Sequence, residues 1–443
     1  MDGLFYADIS RNMSVGLGSF WTPYLSETQF PEFYEHPPLA LGLQSLWFQL
    51  LGDSIYVERF YSLTTYVTTG VLISLIWKHL TGLAKYAWLP LLLWITVTDV
   101  SWAVANNMLE NTMSIFVTLG VLFLLYAQDR SRLKWLIFAG ISLSLGLLTK
   151  GFFCLYIWGL PFFYWLIVKK GNPGKVFLDT AILVAATIVP IALLYILWPD
   201  ARLNMNTYFN KQVVGSIENV QTVNTRFAIL FKFLENIIVP VLLVVVFYLL
   251  ARAKTGLKNI PKHNIRMSGV LLAVVLSGIL PIMISMKQRG FYILTVYPIF
   301  AVGLAFLIYP VVRPLVEKWS GKMKSFRVFS AVSLSLAVIA ITVSLLQLGR
   351  VGRDYELVVD SKIIINEIGE QVTIGLCPDL SSKWNLYGYF SRYGFVSLDP
   401  RYPLQYKYLL TKDECKKLTI TKKYTPVKLN TKAYKLYKRV ENE

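Results

Sequence analysis

The chain has 443 residues, of which 55% are hydrophobic and 16% are charged, and its mean hydropathy is +0.50. This composition is too apolar for a soluble globular protein and is typical of a protein whose main solvent is lipid. The net charge of +18 could indicate nucleic-acid binding, but much of that charge lies in short loops between apolar runs, so we expect no nucleic-acid partner.

Apolar runs that are long enough to cross a bilayer recur along most of the chain. A shorter run at residues 38–51 instead predicts a juxtamembrane or re-entrant helix. We predict about ten transmembrane helices, at residues 60–77, 86–105, 110–127, 134–149, 152–169, 177–198, 228–251, 267–286, 290–311 and 326–348.

The last 95 or so residues read as a small soluble α/β domain. Cys377 and Cys415 lie in this domain and could form a disulfide, although nothing in their spacing requires one. The sequence therefore predicts three parts: a first loop with juxtamembrane helices at 1–59, a transmembrane domain at 60–348 and the α/β domain at 349–443. Within the last part we predict helices at 356–370 and 382–393 and strands at 372–377, 407–410, 427–429 and 434–439.

Lys and Arg residues accumulate in alternate loops, and such loops are retained in the cytoplasm. The opposite set of loops includes residues 2–59, the turn at 106–110, the loop at 199–227 and the C-terminal domain. We expect this set to face outward, into the periplasm of a bacterium, with the rest of the chain in the inner membrane. Because the N-terminus would then start outside, we also expect a preceding helix to carry it there.

Polar and aromatic residues are concentrated in the first forty positions. Asp2, Tyr6 and Ile9 have i, i+4, i+7 spacing and would share one helix face, although an acidic residue there is also a common N-cap. The motifs WTPY at 21–24 and FYEHPPL at 33–39 follow. Together these segments resemble the first periplasmic loop of the protein O-mannosyltransferase superfamily of GT-C glycosyltransferases, and are closest to its bacterial lipid A aminoarabinose transferase type.

This resemblance assigns roles to residues of the first loop. In the family the loop opens with an acidic residue followed by Tyr and Ala, which places Asp2 as the catalytic residue and Tyr6 beside the substrate. Asp8 and Glu35 also match acidic positions of the family and are implied to bind substrate. His36 stands where the family has Lys before Pro-Pro, and the imidazole could donate to the donor's phosphate if it is protonated.

Weaker matches extend to about residue 310. Glu110 takes the place of the family's second loop acid, although a carboxylate at a helix start is also favoured by the helix dipole. Lys150, in a Thr-Lys-Gly element, ends an apolar run at the outer edge and must either snorkel or meet an anion. Lys287 and Arg289 form a basic turn on the side that is otherwise poor in cations, and Arg202 in the outer loop could join them.

The resemblance implies transfer of a sugar from a polyprenyl-phosphate carrier to a periplasmic acceptor, which could be lipid A, a protein or another glycan. Cations would stabilise the leaving phosphate. Asp2 would take the proton of the acceptor hydroxyl, and Glu110 would orient the acceptor or Asp2 itself. A divalent metal is left open, with Glu35 and His36 as possible ligands, and no other cofactor is expected.

Two other classes of function compete with this one. A transporter or flippase of a lipid-linked substrate would show inverted repeats and charges near the middle of the bilayer, whereas the ionisable groups here crowd the outer edge. A membrane scaffold would leave Asp2 and Glu110 without a task.

Overall fold

The computed structural model describes residues 2–169, 171–218, 220–255, 260–320, 323–412, 415 and 424–440. The chain divides into two compact units: a membrane unit, Tyr34–Phe329, and a terminal unit, Met1–Phe33 with Ser330–Glu443. The helices of the described residues are α1 Asp2–Ser14, α2 Leu39–Leu51, α3 Val57–Thr81, α4 Trp88–Ile95, α5 Thr98–Ala105, α6 Leu109–Asp129, α7 Arg132–Lys150, α8 Leu160–Val168, α9 Pro173–Leu197, α10 Pro199–Tyr208, α11 Gly215–Glu218, α12 Ala228–Thr255, α13 Lys262–Ile279, α14 Tyr297–Ser320, α15 Met323–Leu346, α16 Tyr355–Ile368 and α17 Trp384–Gly394.

Eight helical segments in the described part of the chain are long and apolar enough to cross a bilayer. The bent pair α4 and α5 makes a ninth, and a shorter apolar segment, Phe152–Val168, lies where the span at 152–169 was predicted. The chain is therefore a multi-pass helical membrane protein, as predicted. The eight segments are Val57–Thr81, Leu109–Asp129, Arg132–Lys150, Pro173–Leu197, Ala228–Ala253, Lys262–Ile284, Gly290–Trp319 and Phe326–Leu346.

The segment predicted as a span at 86–105 is apolar enough to cross the bilayer but is bent between α4 and α5. The two halves meet at 81°, and Val97 between them has an extended backbone with φ −74° and ψ 121°. The backbone N–H of Asp99 donates to Oδ1 of Asn236 on α12 at 2.8 Å. The Asn236 side chain, 137 residues away, thus satisfies a backbone N–H that has no partner within its own helix because α5 begins there.

Helices α6 and α7 form an antiparallel pair in the membrane unit. Their close approach is permitted by Gly120, where a Cβ would lie 3.3 Å from Leu143, and Ser142 Oγ donates across the pair to the carbonyl of Phe116 at 2.8 Å. Since the two helices run in opposite directions, the first turn of α6 and the last turn of α7 lie at the same edge of the membrane unit. This arrangement brings Glu110 and Lys150 together.

The strands of the terminal unit are β1 Thr373–Leu376, β2 Ser397–Asp399, β3 Tyr408–Thr411, β4 Tyr424–Pro426 and β5 Lys435–Arg439. They form one sheet in the order β2-β1-β3-β5-β4. Strand β1 is parallel to β2 and β3, whereas β5 is antiparallel to β3 and β4. The predicted α/β domain is confirmed, and Cys377 and Cys415 form a disulfide within it. The strand predicted at 427–429 is wrong, because the strand in this part of the chain, β4, ends at Pro426. Strand β2 was not predicted.

Candidate active site

The membrane unit contains a cavity of about 370 Å³. Most of its wall is aromatic or aliphatic, and the wall residues come from the segment after α7, from the end of α10 and from the end of α13. A group of polar side chains shares the lining. We call His36, Lys150, Gln212, Ser216 and Lys287 the polar cluster, and the apolar wall consists chiefly of Phe152, Phe153, Leu155, Tyr156, Tyr208, Pro281, Ile282, Ile284 and Tyr292.

Lys150 and Glu110 form a buried ion pair beside this cavity. Lys150 Nζ lies 2.6 Å from Glu110 Oε1, and the two side chains are only 3% and 2% exposed. Glu110 lies in the first turn of α6 and Lys150 is the last residue of α7, so each charge is stabilised by the dipole of its own helix. The ammonium also lies 5.2 Å from the centroid of the Phe291 ring, with which it can form a cation–π interaction. The structure thus brings together two site residues that the sequence predicted separately.

The glycine of the Thr-Lys-Gly element allows Tyr208 to approach the chain. Gly151 ends α7 with φ +81°, and a Cβ there would lie 2.0 Å from the Tyr208 hydroxyl. The same hydroxyl donates to the carbonyl of Lys150 at 3.2 Å. Only glycine therefore fits, both because of the backbone angle and because of the space. The contact fixes the end of α7 and one aromatic side of the cavity.

The second cation of the cavity, Lys287, is held by the segment that follows α10. Its Nζ donates to Gln212 Oε1 at 2.9 Å and to Ser216 Oγ at 3.2 Å. Gln212 lies in a π-helical turn, Phe209–Val214, a rare element that is frequent at functional sites. Burial lowers the pKa of Lys287; Glu35 nearby opposes this effect, whereas Lys150 and Arg289 add to it.

Gln288, which the sequence analysis did not single out, is 3% exposed and holds the basic turn in place. Its Oε1 accepts from the Ile229 N–H at 2.7 Å, and its Nε2 donates to the carbonyls of Arg226 and Ser285, both at 2.9 Å. A glutamine between two basic residues in a loop produces no periodic pattern. Only its position inside the Lys287 to Arg289 motif could have drawn attention to it.

His36 lines the cavity as a member of the polar cluster. Burial, followed by the positive charges of Lys150 and Lys287, holds the pKa of His36 well below its usual range. The imidazole is therefore neutral at neutral pH. Glu35 is partly buried and lies close enough to Lys287 to raise the pKa of that lysine.

The architecture matches that of two solved structures of one membrane protein. ArnT from Cupriavidus metallidurans bound to undecaprenyl phosphate superposes with a TM-score of 0.68, over 99% of this chain and 93% of that one, at 14% sequence identity. The apo form of the same protein gives 0.67 at 15% identity. The chain has a GT-C fold. At these identities the likeness concerns the fold alone.

Sequence comparisons agree with this GT-C assignment. The family model described as dolichyl-phosphate-mannose-protein mannosyltransferase matches residues 35–198. The undecaprenyl phosphate-alpha-4-amino-4-deoxy-L-arabinose arabinosyl transferase of Wigglesworthia glossinidia brevipalpis is 25% identical over 38% of this chain, and an uncharacterized protein of Aquifex aeolicus is 33% identical over 37%. The matches span about a third of these curated relatives, 30% and 32% of their lengths. The predicted resemblance to the protein O-mannosyltransferase superfamily is confirmed.

Three of the predicted site residues, Asp2, Tyr6 and Asp8, lie on α1 of the terminal unit. Asp2 is exposed in the first turn of α1, whereas Tyr6 is 4% exposed. Asp8 is fully buried, and its Oδ1 lies 2.6 Å from the Arg11 guanidinium. Burial raises the pKa of Asp8 to about 6, against the opposing effect of Arg11. Arg11 in turn donates to the Ser391 carbonyl at 2.8 Å, so this pair joins α1 to α17.

The remaining predicted cations lie outside the cavity lining. Arg202 is exposed and donates to the carbonyls of Tyr195 and Ile196, both at 3.2 Å, where it satisfies acceptors at the end of α9. Arg289 is exposed on the turn that carries Lys287.

A metal site at Glu35 and His36 stays a prediction. Among the described residues, the one cluster of three potential ligands is Cys377, Asp379 and Cys415. Both thiols of that cluster are used in the disulfide, so the cluster does not fit a metal ion.

Proposed function

We propose that this chain is a membrane glycosyltransferase that transfers one sugar from a polyprenyl-phosphate carrier to an acceptor on the periplasmic face. The cavity of the membrane unit is the observation that carries this proposal. Its apolar wall suits a prenyl chain, and the ammonium groups of Lys150 and Lys287 suit the phosphate. The GT-C fold and the resemblance of the first loop support the same reaction class. Lipid A, a protein or another glycan could be the acceptor.

In this proposal the two lysines act on the leaving group. Negative charge grows on the phosphate as the glycosidic bond breaks, and fixed cations in an apolar cavity stabilise that charge. Glu110 orients the Lys150 ammonium and, as its buried counter-ion, offsets the cost of holding that charge away from water. Lys287 has three N–H donors, of which Gln212 and Ser216 engage two.

The carboxylate that takes the acceptor proton is proposed to be Asp2. This role rests on the resemblance of α1 to the opening of the family's first loop. Glu110 could also orient the acceptor, in addition to its contact with Lys150. The substrate contacts of Tyr6, Asp8, Glu35, His36, Arg202 and Arg289 remain predictions of that resemblance.

Removal of the Lys287 ammonium tests the phosphate contact. We expect Lys287→Met to weaken the binding of undecaprenyl phosphate to the purified protein roughly tenfold, since a partly buried charge contact is lost. Binding is measured by titration in detergent with tryptophan fluorescence as the signal.

Lys232→Met is the matched control. Lys232 is 52% exposed, pairs with Glu235 and lies outside the cavity lining, so binding should stay at the wild-type level. Equal affinity for wild type and Lys287→Met would contradict the proposed phosphate site. Binding without any sugar transfer would favour a flippase of the lipid-linked substrate.

We further propose that the cavity's lysines and the C-terminal domain face the periplasm of a bacterial inner membrane. The distribution of Lys and Arg among the loops supports this orientation. The Cys377–Cys415 disulfide also supports it, because disulfides persist in oxidising compartments.

Reporter fusions test the orientation. Alkaline phosphatase fused after Glu443 should be active, and the same enzyme fused after Arg130, in a predicted cytoplasmic loop, should be inactive. The reverse pattern would overturn the loop assignment and place the C-terminal domain in the cytoplasm.

A further inference from the structure

Hydrogen bonds of Thr222 join two segments near the cavity, the turn at 285–289 and the chain that follows the π-helical turn. The Thr222 N–H donates to the carbonyl of Met286 at 3.0 Å. Its Oγ1 accepts from the N–H of Gln288 at 2.9 Å and donates to the carbonyl of Gln288 at 3.0 Å. The turn at 285–289 is thereby fixed to the chain that follows the π-helical turn.

The side-chain amide of Gln288 adds three further hydrogen bonds to this connection. Its oxygen faces an N–H group, that of Ile229, and its nitrogen faces two carbonyls, those of Arg226 and Ser285. These partners determine the orientation of the amide, because the opposite orientation would place donors against donors. A glutamate carboxylate has the same shape, but it could not donate to either carbonyl.

The position of the Lys287 ammonium depends on this connection. Lys287 is the neighbour of Gln288, and its backbone N–H donates to Ser285 Oγ at 3.0 Å. Ser285 Oγ itself donates to the carbonyl of Ser216 at 2.8 Å, and the Lys287 ammonium bonds to Ser216 and Gln212. The lysine therefore reaches its two partners only while the turn and the 212–216 segment keep their spacing.

We propose that Gln288 is a positioning residue, which holds the Lys287 ammonium in the cavity where an anionic phosphate binds. This inference rests on the proposed function. It predicts that the amide acts on ligand binding through Lys287 and not through the stability of the whole unit.

The test is a double-mutant cycle with farnesyl phosphate as the probe. Gln288→Met should weaken binding roughly tenfold in the wild-type background, as Lys287→Met does, and should cause no further loss in a Lys287→Met background. If Gln288→Met weakened binding by the same factor in the Lys287→Met background as in the wild-type background, Gln288 would have a general structural role and the proposal would be overturned. Wild-type affinity of Gln288→Met, with Lys287→Met weakened, would overturn it as well.

Two variants of Thr222, one without and one with the hydroxyl, provide a second test in case Gln288→Met fails to fold. Thr222→Val removes the hydroxyl and should weaken farnesyl phosphate binding several-fold. Thr222→Ser keeps the hydroxyl and should bind farnesyl phosphate as the wild type does. Equal affinities of the two variants would contradict the proposal. If neither wild type nor any variant binds the probe, or if Lys287→Met binds as wild type does, the proposed function fails before the positioning role is tested.

Discussion

Replacing Lys150 by Met is expected to weaken the binding of a polyprenyl-phosphate donor by about 10² to 10³-fold, or roughly 3 to 4 kcal/mol. Lys150 is the more deeply buried of the two cavity lysines, so water cannot substitute for its ammonium. The measurement is a titration of the purified variant with undecaprenyl phosphate.

The Glu110–Lys150 pair supplies its own control. Lys150→Met alone leaves the Glu110 carboxylate buried without its counter-ion, which should also lower the thermal stability of the protein. The double variant Glu110→Gln with Lys150→Met removes both charges, so stability should recover while donor binding stays weak. Recovery of binding together with stability would show that the lysine serves folding and not the donor.

Replacing Asp2 by Asn is expected to slow sugar transfer by about 10² to 10⁴-fold, the range for loss of a general base, with donor binding unchanged. Asn is nearly isosteric with Asp, and Asp2 is an exposed residue of the first turn, so α1 should still form. Transfer is followed as release of sugar from the lipid-linked donor, and donor affinity is measured separately.

Glu32→Gln is the control for Asp2. Glu32 is an exposed acidic residue of the same terminal unit and should tolerate the change without loss of rate. Full transfer activity of Asp2→Asn would move the base to another carboxylate, with Asp8 and Glu110 next in line. Both of these carboxylates are engaged in buried ion pairs, Asp8 with Arg11 and Glu110 with Lys150, so each would be tested in turn.

Much of the fold follows from sequence because lipid requires long apolar helices. Runs such as 110–127 and 134–149 leave few alternatives to membrane spans. The bend between α4 and α5 could not be foreseen, since Asn236 on a distant helix accepts from Asp99. Hydrophobic periodicity reports which residues avoid water, and it contains no information on such a tertiary hydrogen bond.

The candidate site was predictable where a charge stood at the end of an apolar run. Glu110 and Lys150 are of this kind, but that they form an ion pair depends on the packing of α6 against α7. Asp8 illustrates a missed local signal: its i, i+3 spacing from Arg11 permits an ion pair on one helix, which the structure contains. Gln288 gave no signal, because it acts through contacts with a loop some sixty residues away.

Mass spectrometry of envelope glycolipids and glycoproteins, from cells with and without the gene, tests the proposed glycosyl transfer most directly. We expect one component to lose the mass of a single sugar when the gene is deleted. Wild type supplied from a plasmid should restore that mass, and the Lys150→Met variant at equal expression should not. Identical spectra with and without the gene, or full restoration by Lys150→Met, would contradict the account.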